Sequence, residues 1–338
     1  MSADVPVRVP RAAHHYRFSA AAVPPVRAAS GTRLVFETLD CFSNQLTSDQ
    51  QSYASETELM ELIGAYNPVT GPVYVEGAQP GDVLAVSILG IETGTAGRFA
   101  VTNSFGAGSR VVNHDCRGMP AGGSTRICAL RDGVVEFPVG GRTLRLPAQP
   151  MVGTIGTAPA GQDVPSVLYA RSIGGNMDCP LIRAGAVVYL PVGVPGGLLF
   201  IGDVHARMGD AEITGTALET SADVSVEVRL MRGSEHPLTM PHVDSVQSIG
   251  VVGCSEGADL ETNLETAMVE LQNRLCGEYG FAPVDAYELL GAVANVTINQ
   301  CVPQWWKSVY TGIDRRFLPP PELHGTGAQA AEGEHAPA

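Results

Sequence analysis

Two pairs of ionisable residues with the same two-residue spacing lie between positions 203 and 212. Asp203 and His205 follow the short apolar run 198–201, and Asp210 and Glu212 follow a turn at 206–209. Side chains two apart on a strand share a face, so each pair is expected on one side of its strand. If residues 206–209 form a four-residue hairpin loop, His205 lies opposite Asp210 and Asp203 lies opposite Glu212. This arrangement gathers three carboxylates and one imidazole on one patch.

Carboxylates at that separation repel one another, so bound protons, a partner cation or a metal ion must neutralise the patch. The alternative is a solvated hairpin tip whose acids face water. The apolar, glycine-punctuated strands on either side favour a packed sheet instead. Asn176 and Asp178, two apart behind a pair of glycines, can add an amide and a further carboxylate to the same site.

Three other ionisable residues are weaker candidates. Asp40 ends the alternating segment 32–40, where it either joins the site or caps the following turn. Glu76 lies on a predicted strand that meets a turn at 79–82. His114 stands beside Asp115 in the glycine-rich, irregular stretch 100–165, where such a dipeptide more often forms a hydrogen bond within its own loop.

The composition favours a protein built from strands. The chain has 338 residues, of which 39 are Gly and 24 are Pro, and helical periodicity is scarce. Alternating segments predict strands at 32–40, 83–89 and 225–231, and apolar periodicity predicts helices at 260–276 and 285–294, before a strand at 295–302. We therefore expect a mainly β fold of packed antiparallel sheets, a β-sandwich, with a smaller α/β portion near the C-terminus.

Four segments are expected along the chain. Residues 1–10 are predicted to be a flexible leader, and residues 11–165 an N-terminal β-rich lobe. Residues 166–318 are predicted to carry the site and the α/β portion within the same compact unit. Residues 319–338 are rich in Pro, Gly, Ala and Glu, which is typical of a disordered tail.

Charge and cysteine usage exclude several classes of protein. A net charge of −14 without a basic run argues against nucleic-acid and membrane-surface partners. No apolar run approaches 18 residues and no signal pattern begins the chain, so we expect a cytoplasmic protein. The seven cysteines are odd in number, widely spaced and without a CxxC pair, which argues against a disulfide framework or a structural zinc knot.

Several long motifs, in order, resemble the acetamidase/formamidase family. They are GPVYVEGAQPGDVLAVSIL at 71–89, the segment 174–219 with GGNMD, GDVHA and GTALE, and the segments 14–40 and 287–301. The resemblance covers roughly residues 14–302. It implies a metal-assisted hydrolase of small amides, with cyclic amides as substrates of some members, and a homo-oligomer.

The resemblance implies a metal site but does not assign roles to the acids. Our hypothesis makes Asp178, Asp203 and His205 the ligands, with Asp40 as a further candidate ligand. It makes Glu212 the general base, with Asp210 or Glu76 as substitutes. Candidate substrate-binding residues complete the set: Asn176, Arg207 and His114. A ligand set with an imidazole suits zinc, whereas an all-oxygen subset suits calcium or magnesium.

Amide hydrolysis needs a nucleophile, a stabilised oxyanion and a proton for the leaving nitrogen. Lysine-dependent routes are disfavoured because the sole lysine, Lys307, lies outside the acidic stretch. A Cys179 nucleophile with His205 as base is also open, although neighbouring carboxylates would reduce the thiolate fraction. The expected reaction is cleavage of a small linear amide to carboxylate and ammonia by a metal-activated water. The alternatives are a larger or cyclic amide, whose carboxylate Arg207 could hold, and a non-catalytic β-sandwich binding protein.

Overall fold

Two large sheets organise the chain. The computed structural model describes residues 5–49, 51–102, 123–167, 170–301 and 307–320. The first sheet contains, in spatial order, β1 (Val7–Val9), β5 (Thr32–Thr38), β19 (Ala222–Met231), β8 (Val83–Thr93), β16 (Val187–Pro191), β20 (His242–Asp244), β21 (Ser248–Gly253), β23 (Ser308–Asp314) and β22 (Asn295–Gln300). Its pairs are antiparallel except for β1 with β5.

The second sheet carries the predicted acidic patch. Its main path is β12 (Arg142–Pro147), β11 (Val134–Val139), β10 (Gly123–Arg131), β9 (Ala96–Thr102), β18 (Leu218–Thr220), β17 (Leu199–Arg207), β13 (Met151–Gly156) and β15 (Gly174–Asn176). Four strands lie off this path: β7 (Val69–Val75) pairs with β17, β2 (His14–His15) and β4 (Val26–Ala28) pair with β7, and β6 (Ser52–Tyr53) pairs with β10. A separate pair joins β3 (Arg17–Phe18) to β14 (Val164–Pro165).

The main apolar core draws on both sheets. One buried cluster combines Leu34, Phe36, Val224 and Val226 of the first sheet with Val152, Ile155, Ile201 and Val204 of the second. Alternating side chains of β5 and β19 supply one wall, as expected for strands with one buried face. The prediction of a mainly β protein with packed antiparallel sheets is confirmed.

The C-terminal helices form a second core on the first sheet. Helix α1 spans Glu56–Ile63, α2 spans Leu260–Tyr279 and α3 spans Pro283–Val293. Leu271 and Leu275 of α2, Leu290 of α3 and residues of β21 and β23 share one apolar cluster. The expected smaller α/β portion near the C-terminus is therefore present, whereas α1 was not predicted from the sequence.

Helix α2 runs further than its sequence indicated. The predicted helix ended at residue 276, but the helix continues to Tyr279 and Gly280 closes it with φ +69°. A left-handed C-cap suits glycine because no Cβ is strained there. The buried face also includes polar side chains: Asn263 accepts from the Ser255 N–H, and the Arg274 guanidinium pairs with Asp244. Apolar spacing alone does not identify such a face.

The structure describes the predicted leader and tail only in part. Val7–Val9 lie inside the predicted leader and form β1, which pairs with β5. Residues 321–338 of the predicted tail lie outside the described residues, as do Trp305 and Trp306. Among the residues that the structure describes, no helix is both long and apolar enough to span a membrane.

A buried carboxylate on α2 predicts a dependence of stability on pH. Burial opposes ionisation of Glu270, but hydrogen bonds from His242 and from the N–H and hydroxyl of Thr239 outweigh it and lower its pKa to about 2. A depressed carboxyl pKa stabilises the fold above the unfolded pKa, and this contribution is lost as pH falls from about 4.5 to about 2.

Glu270→Gln should therefore lower the free energy of unfolding by about 2–3 kcal/mol at pH 7. The deficit should narrow by about 1 kcal/mol at pH 3.5, because the wild type has by then lost part of this contribution. Urea unfolding at both pH values measures the difference. Glu265→Gln, at an exposed position of the same helix, is the control. A deficit that stays constant with pH would contradict the assignment.

Candidate functional site

Strand β17 brings Asp203 and His205 into one buried site. Both side chains are almost fully buried, and His205 Nε2 lies 3.5 Å from Asp203 Oδ1. The predicted sharing of one face by residues two apart is therefore confirmed. Asp203 has φ +56°, a conformation that Asp adopts more readily than most residues with a Cβ.

The predicted hairpin partners of β17 are wrong. Residues 211–214 do not return as a strand, because Asp210–Glu212 forms a 3-10 turn in which Ala211 and Glu212 have positive φ. The returning strand is β18, and its register places Glu219 opposite His205. The prediction assumed a four-residue loop, whereas a turn and linker spanning residues 208–217 connect β17 to β18.

Glu219 is the principal site residue that the sequence reasoning missed. Its Oε2 lies 3.4 Å from His205 Nε2, the shortest of the four carboxylate distances to that nitrogen, and its Oε1 accepts from the Ala217 N–H at 2.9 Å. Its signal was the acid that closes the GTALE motif, within the stretch that was singled out. The strand register needed to use that signal is a tertiary property.

Asp178 and Glu212 complete the ring of acids. Asp178 Oδ1 lies 3.8 Å and Glu212 Oε1 lies 4.0 Å from His205 Nε2. Asp178 follows β15 with φ +47°, and its N–H donates to the Gly153 carbonyl at 3.1 Å. Glu212 turns inward from the 3-10 turn, and only 8% of it is exposed. The structure thus brings Asp178, Asp203, His205 and Glu212 together, and their roles stay predictions.

Neutral side chains hold several of the acid oxygens. Asn67 donates to Asp203 Oδ2 at 2.9 Å, and the Thr154 hydroxyl lies 3.0 Å from the same oxygen. Gln300 donates to both Asp178 Oδ2 and Glu212 Oε2 at 2.7 Å. Asn176 is buried beside them, with its Oδ1 3.0 Å from the Thr154 hydroxyl. Asn67, Thr154 and Gln300 were not predicted, because amides and hydroxyls carry no spacing signal of their own.

Burial and mutual repulsion raise the pKa values of Asp178, Glu212 and Glu219. Burial raises the pKa of Asp178 well above its usual range, and repulsion from Glu212 and Asp203 adds to this effect. Burial likewise raises the pKa values of Glu212 and Glu219 to about 8, with His205 opposing the shift in both. Burial lowers the pKa of His205, but attraction to Glu219 and Asp203 outweighs it and raises that pKa well above 6.5.

In the described part of the chain, no arginine or lysine side chain pairs with the acids of this site. Within those residues, the ion pairs of Asp178, Asp203, Glu212 and Glu219 are all with the single imidazole of His205. Asp178 Oδ1, Glu219 Oε2 and both ring nitrogens of His205 are buried and have no hydrogen-bond partner among the described residues. Unpartnered buried acceptors around an imidazole fit a divalent cation, because a cation satisfies them together.

Two groups of buried side chains offer ligand atoms close enough for a metal ion. One is Asp178, His205 and Glu212, and the other is Cys41, Asp203 and Glu219, with the atoms of each group within 4.8 Å of one another. Burial raises the pKa of the Cys41 thiol well above its usual range, and repulsion from Glu219 adds to this effect. The carboxylates and the imidazole are therefore the better donors.

Asp40 has partners of its own. Arg98 Nη1 lies 3.2 Å from Asp40 Oδ2, while Asp40 Oδ1 accepts from the N–H groups of Phe42 and Asn44. The turn-capping alternative is what the structure shows. These contacts give the Asp40 carboxylate a charged partner and two backbone donors.

The other predicted site residues lie elsewhere. Glu76 is exposed just beyond the end of β7, at the opposite end of that strand from Asn67. Asp210 is exposed on the outer side of the 3-10 turn. Arg207 is partly exposed and donates to the Pro147 carbonyl at 2.7 Å. His114 lies outside the described residues.

A small cavity opens beside the acids. Its volume is about 60 Å³, which holds only a few non-hydrogen atoms. Its described lining includes polar residues (Glu56, Asn67, Asn176, Asp203, Glu212, Glu219 and Gln300) and apolar or aromatic residues (Phe42, Leu59, Tyr66, Ala100 and Val167). Cys179 is buried, and burial raises its pKa to about 12, so a Cys179 thiolate nucleophile is disfavoured.

Comparison with known proteins agrees with this fold. The model of the acetamidase/formamidase family matches residues 2–166 and 157–309. The chain belongs to the acetamidase/formamidase family. Among solved structures, this family member superimposes on an acetamidase from Bacillus halodurans with a TM-score of 0.81 and 30% identity, covering 92% of this chain and 98% of that one. An acetamidase from Yersinia enterocolitica gives a TM-score of 0.81 at 29% identity, with 94% of each chain covered.

Curated members of the acetamidase/formamidase family match over shorter stretches. A formamidase from Methylophilus methylotrophus is 27% identical over 267 residues, which is 62% of this chain and 64% of that protein. An acetamidase from Mycolicibacterium smegmatis is 27% identical over 232 residues, which is 51% and 57% respectively. The chain thus spans less than two thirds of the length of these relatives. A γ-lactamase from Delftia acidovorans shares the fold, with a TM-score of 0.58 at 19% identity.

Gly153 is the position where two of the acids approach the backbone most closely. A Cβ added there would lie 2.7 Å from Asp178 Oδ1 and 2.8 Å from Asp203 Oδ2. Gly153→Ala should therefore displace both carboxylates and lower the free energy of unfolding by about 1–3 kcal/mol, measured by urea unfolding. The control is Gly209→Ala, where an added Cβ meets nothing within 4 Å. Equal losses in the two variants would show that Gly153 is not required for this close approach.

Proposed function

We propose that this protein is a metal-dependent hydrolase that cleaves small linear amides of the formamide or acetamide type to a carboxylate and ammonia. The observation that supports the proposal is the ring of four buried carboxylates around His205 Nε2, with unpartnered ligand atoms, beside a cavity for a few non-hydrogen atoms. The formamidase and acetamidase names of relatives agree with it.

Four side chains would hold the metal: Asp178, Asp203, His205 and Glu219. The facing carboxylate oxygens of the three acids lie 3.4–3.8 Å from His205 Nε2. A mixture of one imidazole with carboxylates suits zinc more than calcium or magnesium. When bound, a divalent ion supplies a Lewis acid for the amide carbonyl and a lowered pKa for a coordinated water. Asn67 and Thr154 fix the orientation of Asp203, as hydrogen bonds to ligand carboxylates commonly do.

Glu212 is assigned as the general base and acid. It is the acid farthest from His205 Nε2, and it lines the cavity, so its Oε1 can contact a bound amide or its attacking water. The carboxylate would accept a proton at this oxygen and then deliver it to the leaving nitrogen, which must depart as an amine rather than an anion. The polar wall can orient the amide group, while Phe42 and Leu59 leave room for a short acyl group.

The first experiment tests whether Glu212 is a metal ligand or the general base. Ammonia release from formamide and acetamide should be abolished by a chelator and restored by a divalent ion. Glu212→Gln should lower kcat by about 10²–10⁴-fold while metal content stays intact, because it removes a proton carrier and leaves the ligands in place. Asp203→Asn should lower the metal content itself.

Metal analysis and steady-state kinetics of the same preparations make these measurements. Glu76→Gln is the control, since Glu76 is exposed at the far end of β7. Loss of metal from Glu212→Gln would make Glu212 a ligand. Chelator-insensitive amide hydrolysis would overturn the metal-dependent proposal, and absence of activity with metal bound would favour a binding protein.

A larger amide is the second candidate substrate. A surface groove of about 240 Å³, lined by Phe99, Phe137, Arg207, Ile213 and Leu218, shares Glu212 and Thr216 with the inner cavity. A substituent on the amide that extended beyond Glu212 and Thr216 would enter this apolar groove, which has the Arg207 guanidinium at its edge. That chemistry suits a chain ending in a carboxylate.

Arg207→Met tests this second substrate class. KM for a carboxylate-bearing amide such as succinamic acid should rise about 10-fold, because the variant lacks the ion pair with the substrate carboxylate. The kinetics with acetamide should stay unchanged, because Arg207 lies outside the inner cavity. Arg142→Met, at an exposed position of β12, is the control. An unchanged KM, or no turnover of the longer substrate by the wild type, would restrict the enzyme to small amides.

The homo-oligomeric state and the cytoplasmic location expected from the sequence remain predictions. Sedimentation velocity of the purified protein and fractionation of expressing cells test them directly.

A further inference from the structure

Gln300 joins two of the site's acids through a single nitrogen. Its side chain is buried at the end of β22, and Nε2 donates to Asp178 Oδ2 and to Glu212 Oε2, both at 2.7 Å. A primary amide has two N–H hydrogens, so each carboxylate receives one of them. The two acids come from separate elements, the end of β15 and the 3-10 turn after β17. Gln300 therefore connects parts of the site that the backbone leaves apart.

The same end of β22 also holds the backbone of the 3-10 turn. The Cys301 N–H donates to the Ala211 carbonyl at 3.2 Å. Ala211 and Glu212 have φ of +68° and +43°, a left-handed conformation that is unfavourable for consecutive residues with a Cβ. Such a conformation persists only where surrounding contacts hold it. Two contacts from residues 300–301 act on this turn, one on its backbone and one on its carboxylate.

The 3-10 turn lies between the inner cavity and the outer groove. Glu212 and Thr216 line both the inner cavity and the outer groove, so the segment that carries them is the wall between the two. Asp210 and Ile213 on either side of Glu212 are exposed. A Glu212 carboxylate that is not held from inside can turn with them toward solvent.

We propose that Gln300 is a positioning residue, which holds Glu212 Oε2 and Asp178 Oδ2 together so that Glu212 Oε1 faces the cavity and Asp178 Oδ1 faces His205. This inference rests on the proposed function for the roles of the two acids, but the positioning itself does not depend on it. The amide is the required group because it donates to both carboxylates without adding charge. A carboxylic acid in its place would add an acceptor, and a shorter amide would not span both oxygens.

The test compares Gln300→Glu, Gln300→Asn and the control Gln79→Glu, whose residue is exposed in the turn before β8. Gln300→Asn shortens the side chain and keeps its polarity. Hydrogen exchange of the turn is measured first, because it reports positioning without catalysis. The N–H groups of Glu212 and Gly215, which donate to the carbonyls of Gly209 and Glu212, should exchange at least 10-fold faster in both Gln300 variants. Wild-type exchange in both variants would overturn the proposal.

Kinetics and metal titration then connect positioning to chemistry. At saturating zinc, both Gln300 variants should show kcat lowered about 100-fold on acetamide with KM within 3-fold of wild type. Their zinc affinity should fall about 10-fold or more, because Asp178 loses its fixed orientation. Gln300→Glu should also shift the pH profile of kcat, which a purely structural loss would not do. Gln79→Glu should match the wild type throughout.

The outcomes separate this inference from the proposed function. An active wild type with unchanged exchange, kcat and zinc affinity in the Gln300 variants would overturn the positioning role and leave the hydrolase proposal intact. An inactive wild type whose turn exchanges faster in both variants would overturn the hydrolase proposal and support the positioning role. If Gln300→Glu does not fold, Gln300→Asn decides by the same exchange measurement.

Discussion

Four carboxylates buried around one imidazole are the constraint on which the rest of this structure depends. Asp178, Asp203, Glu212 and Glu219 all lie within 4.0 Å of His205 Nε2, and burial raises the pKa values of Asp178, Glu212 and Glu219. A folded chain tolerates such a group of acids only if protons or a cation neutralise it. A bound divalent cation would offset this cost and would also provide amide-cleaving chemistry. The same charges that destabilise the fold thus explain the proposed function.

The two sheets make this arrangement geometrically possible. Strands β17, β18 and β13 hold Asp203, His205, Glu219 and Thr154 in a fixed register, so their separations are set by strand pairing. The remaining acids, Asp178 and Glu212, come from irregular backbone. Asn67, Asp178, Asp203 and Glu212 all have positive φ, an unfavourable conformation that clusters at functional sites because surrounding contacts must hold it. Rigid strands supply the frame, and strained turns complete it.

Family membership and substrate choice rest on different parts of the molecule. The fold matches solved acetamidases over nearly the whole chain, which fixes the architecture. In the proposed hydrolase, substrate size would depend on the cavity wall near Glu212 and Thr216, where a small inner space adjoins a larger outer groove. Similarity of fold, as with the γ-lactamase, does not determine which of these spaces a substrate uses.

The sequence by itself determined the fold class and much of the acidic site. Alternating apolar positions and abundant turn residues specify packed strands, and the two-residue spacing of Asp203 and His205 puts both on one face because a strand has a period of two. The position of Asp178 behind a glycine pair was a further local signal. These features depend only on neighbouring residues, so they can be seen in the order of the amino acids.

Only the tertiary structure decided which distant residues complete the site. Glu219 faces His205 through a register set by a non-extended turn, and Gln300 reaches Asp178 and Glu212 from a strand of the other sheet. Asp40 pairs with Arg98, a residue more than 50 positions along the chain. Spacing cannot reveal such contacts, because they depend on how separate strands pack and on which turns leave the extended conformation.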